Sequence, residues 1–314
     1  MKCFVLISFL FSLSLFAFDS NRPFTARLSK HARSRFDEYE LPFLRVASGA
    51  SYSFDVETLV KRLKETLKKT RFPVRSHFSK GGEPANVKNL PIPRETTQGN
   101  QLEGIQTCSI EKCQMKLSDK VEKEKVAKAS NKVEAYHQLV IDRVNRYLTK
   151  HELAGYEERS VNSPTVRKML RATKFFERSY PSEASFFDSG LWKGTAKPIA
   201  PVETFLRGEM LIMAPDRMQP VWRVSEVFEF REKDTRLLVE LHLYTNHYFD
   251  ASLRIFEALS MPNDPKRSIL VVTDVMEIDE LKKSALIRTL YTGKMVEAVT
   301  QSQDEIIDGI DAQS

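Results

Sequence analysis

The sequence contains none of the short motifs that specify a reaction. The nucleophile elbow G-x-S-x-G, the phosphate loop G-x-x-x-x-G-K-[ST], the zinc motif H-E-x-x-H and the dinucleotide fingerprint G-x-G-x-x-G are all absent. The six histidines are scattered singly, so no cluster with metal-ligand spacing is visible. We therefore expect no metal and no cofactor, and we find no basis in these motifs for predicting an enzyme.

A long apolar run occurs at the start of the sequence and nowhere later. Lys2 is followed by the apolar stretch Phe4–Phe16, which is shorter than the roughly 20 residues that span a bilayer. This layout is typical of a secretory signal, with Ala17 as the expected cleavage site; an uncleaved anchor is the alternative. We expect residues 1–17 to be removed, leaving a periplasmic or secreted protein with no transmembrane span.

The sequence has little excess charge of either sign. Its formal net charge is +6, with 48 basic and 42 acidic residues. That excess permits attraction to an anionic surface without requiring it. The arginine and aromatic pattern of a nucleic-acid-binding protein is missing, so we expect no nucleic acid partner.

Cysteine is scarce, and only Cys108 and Cys113 remain after the signal is removed. Four residues separate them, a spacing that suits a short disulfide loop in an oxidising compartment. The redox motif C-x-x-C and the haem motif C-x-x-C-H are both absent, and a zinc site would need two further ligands. The spacing therefore predicts a disulfide.

The first half of the chain predicts helices around a long loop. We expect an irregular arm over 18–41, a strand over 42–54, and a helix that Asp55 caps. Residues 79–106 are rich in glycine and proline and indicate a long loop. A long helix is predicted over 119–150, with Ser130 as the place where it could break. Further helices are predicted over 163–176 and 182–188.

The second half predicts an antiparallel sheet followed by one long helix. Between Val202 and Thr273, strand-like runs alternate with turn segments such as PDRMQP and MPNDPKR. Short turns between consecutive strands favour antiparallel pairing. Residues 279–307 then predict a helix with Leu286 and Leu290 on its apolar side. The predicted fold is a single α+β domain over 42–314, an antiparallel meander with a helical insertion, covered by the C-terminal helix.

This order of elements resembles the START-like helix-grip fold, in which a curved sheet wraps a C-terminal helix around an apolar cavity. The segment NHYFDASL (246–253) resembles a motif in a family of exported bacterial proteins of uncharacterised function. The pair Cys108 and Cys113, Trp192-Lys193 and Lys197-Pro198 resemble further parts of that family. The resemblance implies a fold and an exported context, and it implies no reaction.

The unusual polar residues of this motif are His247 and Asp250. In a regular strand their spacing puts them on opposite faces, so only a bulge or a turn could bring them to one site. They could fix a strand bend, contribute with Tyr248 and Trp192 to ligand binding, or act in catalysis. Carboxylates such as Glu229 and Glu240 are expected to face water.

Three functions remain open from the sequence. We expect non-catalytic binding of an apolar or amphipathic, lipid-like molecule in a cavity under the C-terminal helix. One alternative is a hydrolase or isomerase acting on a lipid-like substrate, with His247 as the base. The other is an envelope interaction protein that uses the basic face of the first helix, with Lys61, Lys64 and Lys68.

Overall fold

The computed structural model describes residues 33–40, 43–68, 71–75, 105–111, 113, 117, 120–150, 201–211, 221–232, 235–245, 249–261, 264–278 and 285–313. The elements are, in chain order, β1 (Arg33–Glu40), β2 (Phe43–Tyr52), α1 (Val56–Lys68), β3 (Arg71–Arg75), α2 (Lys120–Ala127), α3 (Lys132–Lys150), β4 (Glu203–Leu211), β5 (Val221–Glu232), β6 (Thr235–Thr245), β7 (Phe249–Met261), β8 (Asp264–Ile278) and α4 (Ala285–Asp311).

The eight strands form one antiparallel sheet in the order β1-β2-β8-β7-β6-β5-β4-β3. Strands β4 to β8 are the predicted meander, because each pairs with the next along the chain. Strand β2 pairs with β8 at one side of this meander, and β3 pairs with β4 at the other. Helices α2 and α3 lie between β3 and β4 in the chain. The predicted α+β class, with a helical insertion and a C-terminal helix, is therefore confirmed.

Helix α1 begins after Asp55, as predicted. The Asp55 side chain accepts a hydrogen bond from the backbone N–H of Thr58 at 2.8 Å. That hydrogen bond favours the ionised carboxylate and holds the pKa of Asp55 below its ordinary value. The predicted stripe of Leu59, Leu63 and Leu67 is buried and packs on the face of the sheet that we call the helix-covered face.

Helix α4 also packs on the helix-covered face, where it contacts β2 and α1. Its buried apolar residues, in the part whose side chains are described, are Met295, Ala298, Val299, Ile306, Ile307 and Ile310. The helix extends four residues beyond Ile307, its predicted end, to Asp311. The side chains of Leu286 and Leu290 lie outside the described residues, so their expected burial stays a prediction.

Helix α3 packs on the opposite face of the sheet. Its Tyr136, Val140 and Val144 form an apolar cluster with residues of β4, β5 and β6, including Tyr244. The hydroxyl groups of Tyr136 and Tyr244 are in hydrogen-bond contact. Burial raises the pKa of Tyr244 to about 12, outweighing the nearby positive charge of Arg143.

The break predicted near Ser130 separates α2 from α3. The Asn131 side chain accepts a hydrogen bond from the backbone N–H of Glu134 at 3.2 Å and donates one to the Glu134 carboxylate. The first of these is the hydrogen bond of a helix N-cap, which explains why a new helix starts here, and the second joins the two side chains.

The predicted disulfide joins Cys108 and Cys113, whose Cα atoms lie 4.2 Å apart. The Cys108 side chain is buried in the same cluster as α3, so the bridge ties its short loop to this face of the sheet.

Part of the N-terminal arm differs from its prediction. Residues 18–41 were expected to be irregular, yet Arg33–Glu40 forms β1, an edge strand paired with β2. An edge strand needs only main-chain pairing on one side, and its sequence RSRFDEYE carries little of the apolar alternation that marks a buried strand. Residues 1–32, most of 79–106 and the predicted helices over 163–176 and 182–188 lie outside the described residues. Within the described ranges no helix is long and apolar enough to cross a membrane.

Candidate functional site: a buried polar cluster

The helix-covered face of the sheet is divided into an apolar half and a polar half. Residues two positions apart on a strand share a face of the sheet. Leu238, Phe256 and Val272 lie in the apolar half of this face, and the residues two positions away from them on the same strands are charged and form the other half. We call the charged half the polar cluster. Its buried members are Arg207, Arg223, Ser225, Glu240, His242, Ser252, Arg254 and Asp274 of the sheet, with Ser302 and Gln303 of α4.

Arg254 and Asp274 form the centre of the polar cluster. They lie opposite each other on β7 and β8, and Arg254 Nε is 2.9 Å from each carboxylate oxygen of Asp274. Helix α4 contributes two further hydrogen bonds. Arg254 Nη2 donates to Ser302 Oγ at 3.0 Å, and Gln303 Nε2 donates to Asp274 Oδ2 at 2.8 Å. The buried ion pair therefore also fixes α4 over the sheet.

Arg207 and Glu240 form a second buried ion pair. Arg207 Nη1 lies 2.7 and 2.9 Å from the two Glu240 oxygens, and the Ser225 hydroxyl donates to the same carboxylate. Hydrogen bonds between a charged donor and a carboxylate are stronger than those between neutral groups. Glu240 is fully buried, and this pairing offsets the cost of removing its carboxylate from water.

His242 lies between Glu240 and Ser252. Its Nδ1 atom is in hydrogen-bond contact with Ser252 Oγ on the neighbouring strand, and its Nε2 atom lies 3.9 Å from Glu240 Oε1. His242 is 7% exposed and Ser252 is 1% exposed. A serine, a histidine and a carboxylate are thus adjacent on one face of the sheet.

The polar cluster is costly to build. Charges removed from water lose several kcal/mol of solvation each, and apolar residues of equal volume often serve stability as well or better. Several convergent polar groups beside an apolar wall are characteristic of ligand sites. The cluster is therefore the candidate functional site.

The structure describes little of the site predicted from the sequence. His247, Tyr248 and Trp192 lie outside the described residues. Asp250 belongs to β7, but its side chain is not described. The pairing of β7 with β8 shifts between Phe249 and Ala251, which is the kind of bulge that a shared site for His247 and Asp250 requires. Whether the two meet stays a prediction.

The NHYFDASL segment contributes Ser252 to the polar cluster, a residue that was not predicted to belong to a site. Ser252 follows two positions after Asp250 and contacts His242. The signal was the repeated placement of polar residues two apart inside apolar strands, as in Arg223 and Ser225, or Glu240 and His242.

The expectation that Glu229 and Glu240 face water is wrong. Glu229 is 3% exposed and Glu240 is 0% exposed. Each is buried because a cation accompanies it: Glu240 pairs with Arg207, and Glu229 pairs with Lys64 of α1.

Lys64 is therefore part of the fold rather than of a solvated basic surface. It binds Glu203 and Glu229 at the end of the sheet beneath α1. Burial alone would lower the pKa of Lys64, but the hydrogen bonds and charges of the two carboxylates outweigh burial and raise it.

No group of three or more histidine, cysteine, aspartate or glutamate residues in the described part of the chain could hold a metal ion. A scan against protein-family models finds no match for this chain. A search of curated proteins also finds no significant match. The polar cluster is therefore interpreted from its own geometry.

Proposed function

We propose that the protein is exported and binds an amphipathic, lipid-like molecule between the sheet and α4. The observation that carries this proposal is the division of the helix-covered face into two halves. An amphipathic molecule has the matching division, with a polar end that can hydrogen-bond to the polar cluster and an apolar part that packs on the apolar half. Ligand sites combine apolar walls with a few convergent polar groups in this way.

The strand order supports the proposal. Strands β2 and β3 flank the meander at its two sides, helix α1 connects them, and α4 follows the last strand. This order agrees with a START-like helix-grip arrangement, in which the sheet curves around its C-terminal helix. Export is supported by the Cys108–Cys113 disulfide, because such bonds persist mainly in oxidising compartments.

The envelope-interaction alternative is less well supported. It depends on a free basic face of α1, and Lys64 of that face binds two carboxylates of the sheet. The alternative with His247 as the base rests on a residue outside the described part of the chain.

The proposal is tested by looking for the ligand and for its place. Native mass spectrometry of material purified from the periplasm should show a bound small molecule, and delipidated protein should take up NBD-labelled dodecanoate. Gln303→Ala should reduce uptake of this probe several-fold, because Gln303 is the α4 residue that contacts Asp274.

Gln301→Ala is the matched control. Gln301 lies on the exposed side of α4, where it pairs with Glu305, so its removal should leave probe uptake unchanged. The proposal fails if the purified protein carries no ligand and the delipidated protein takes up no probe. Equal loss in both variants would mean that α4 acts only as a structural helix.

A further inference from the structure

We propose that Ser252 and His242 are a nucleophile and its general base, and that the protein cleaves an ester of its amphipathic ligand. This inference rests on the proposed function for the choice of ligand and goes beyond it, since binding alone requires no reaction.

The geometry that carries the inference is a direct contact between the two side chains. Ser252 on β7 and His242 on β6 approach across neighbouring strands, and Ser252 Oγ is in hydrogen-bond contact with His242 Nδ1. A serine is a weak nucleophile until a base within hydrogen-bond reach accepts its proton. Here that base is already in place.

Glu240 supplies the third member of the arrangement. Its carboxylate lies 3.9 Å from His242 Nε2, on the side of the ring opposite the serine. Arg207 and Ser225 bind the same carboxylate and hold it in place. A fixed negative charge beside the imidazole favours the imidazolium that forms when the serine loses its proton.

The strands also place these groups on one face of the sheet. Glu240 and His242 are two residues apart on β6 and so share one face, and β7 presents Ser252 to that face. Arg254 follows Ser252 at the same spacing and brings a guanidinium to the same face. Groups on regular strands are held more precisely than groups on loops.

The reaction is an acyl transfer to serine followed by hydrolysis. His242 Nδ1 takes the Ser252 proton while Oγ forms a bond to the ester carbonyl carbon. The bond from this carbon to the alkoxy oxygen then breaks, and His242 gives its proton to the leaving alkoxide. Water then attacks the acyl carbon while His242 accepts its proton. The bond from this carbon to Ser252 Oγ breaks, His242 returns the proton to Oγ, and a carboxylic acid is released.

An alkyl fluorophosphonate tests the nucleophile directly, because it forms a stable adduct only with an activated serine. Peptide mapping of the labelled wild-type protein should place the adduct on Ser252. Ser252→Ala should abolish that adduct. His242→Gln should slow labelling by roughly 100-fold or more, the usual contribution of a general base.

Ser48→Ala is the matched control, since Ser48 is a buried serine on the same face that belongs to β2 and lies outside the polar cluster. In the Ser48→Ala variant, the fluorophosphonate should label Ser252 at the wild-type rate. Thermal melting checks that each variant is folded, and mapping on the wild-type protein decides the question even if a variant does not fold.

The two proposals fail separately. If NBD-labelled dodecanoate binds but no adduct forms on Ser252, the binding proposal stands and the nucleophile is refuted. An adduct on another serine, or undiminished labelling of His242→Gln, also refutes it. If neither probe binds nor labels the protein, both proposals are wrong.

Discussion

Replacing Asp274 with asparagine tests how much the polar cluster depends on its central carboxylate. The change keeps the side-chain volume and removes the charge. Arg254 Nε, which lies 2.9 Å from both carboxylate oxygens, then has only one neutral amide oxygen as its acceptor, and Arg223, whose Nη1 lies 3.9 Å from Asp274 Oδ1, loses the same counter-charge. Both arginines are fully buried. We expect Asp274→Asn to cost about 3–5 kcal/mol, as for other broken buried ion pairs.

Arg254→Met should cost less than Asp274→Asn. It removes one guanidinium and leaves Asp274 with the hydrogen bond from Gln303 and the charge of Arg223. The double variant should be less destabilised than the sum of the single variants, because the second change removes the charge that the first left buried. Coupling of about 0.5–3 kcal/mol is typical for contacting residues.

Urea unfolding at neutral pH measures these effects in the disulfide-intact protein. For a slope of about 3 kcal/mol/M, Asp274→Asn should lower the midpoint by about 1–1.7 M. Asp264→Asn is the control on the same strand, since Asp264 accepts only an exposed backbone hydrogen bond among its described contacts. A midpoint unchanged by Asp274→Asn, or a larger loss from Arg254→Met, would refute the reasoning.

Three further predictions concern other parts of the fold. Ile306→Ala should lower the free energy of unfolding by about 2–5 kcal/mol, because Ile306 is buried. Glu305→Ala on the exposed side of α4 should have little effect. Equal effects of the two changes in urea unfolding would show that α4 is not packed as described. Burial raises the pKa of Tyr244 to about 12, so between about pH 10 and 12 the phenol ionises in the unfolded chain but not in the folded one. The protein should therefore lose stability over this pH range. Urea midpoints that fall no faster in the wild type than in Tyr244→Phe would contradict this. Thiol titration of unreduced, denatured mature protein should find Cys108 and Cys113 unreactive, and reduction should cost about 2 kcal/mol or less because the loop is short; two titratable thiols would show that the disulfide is not formed.

The elements of the fold were predictable where local signals are strong. The meander follows from apolar runs separated by turn residues, and the start of α1 follows from the capping side chain of Asp55. The break before α3 follows from a serine and asparagine between two helical patterns. Each of these features depends on residues that are close together in the sequence, so each can be predicted from the sequence alone.

The candidate site was not predictable for a reason that Glu240 illustrates. Strand β6 is buried on both faces, so alternation along it no longer separates core from solvent. A glutamate in such a strand looks like a solvent-facing residue until the arginine beside it is known. Arg207, which pairs with it, comes from another strand, and no local pattern connects the two.

The pairing of β2 with β8 has a consequence for how the chain acquires its structure. Phe43 lies opposite Glu277, so the sheet joins one of its earliest strands to its last. Because a chain is synthesised from its N-terminus, β2 has no β8 to pair with until β8 has also been made. Pairings between distant segments form slowly, because much of the chain has to be ordered before they are made. The sheet therefore cannot close until β8 has been made, and a protein truncated before Asp264 would expose the edge of β2 to other chains.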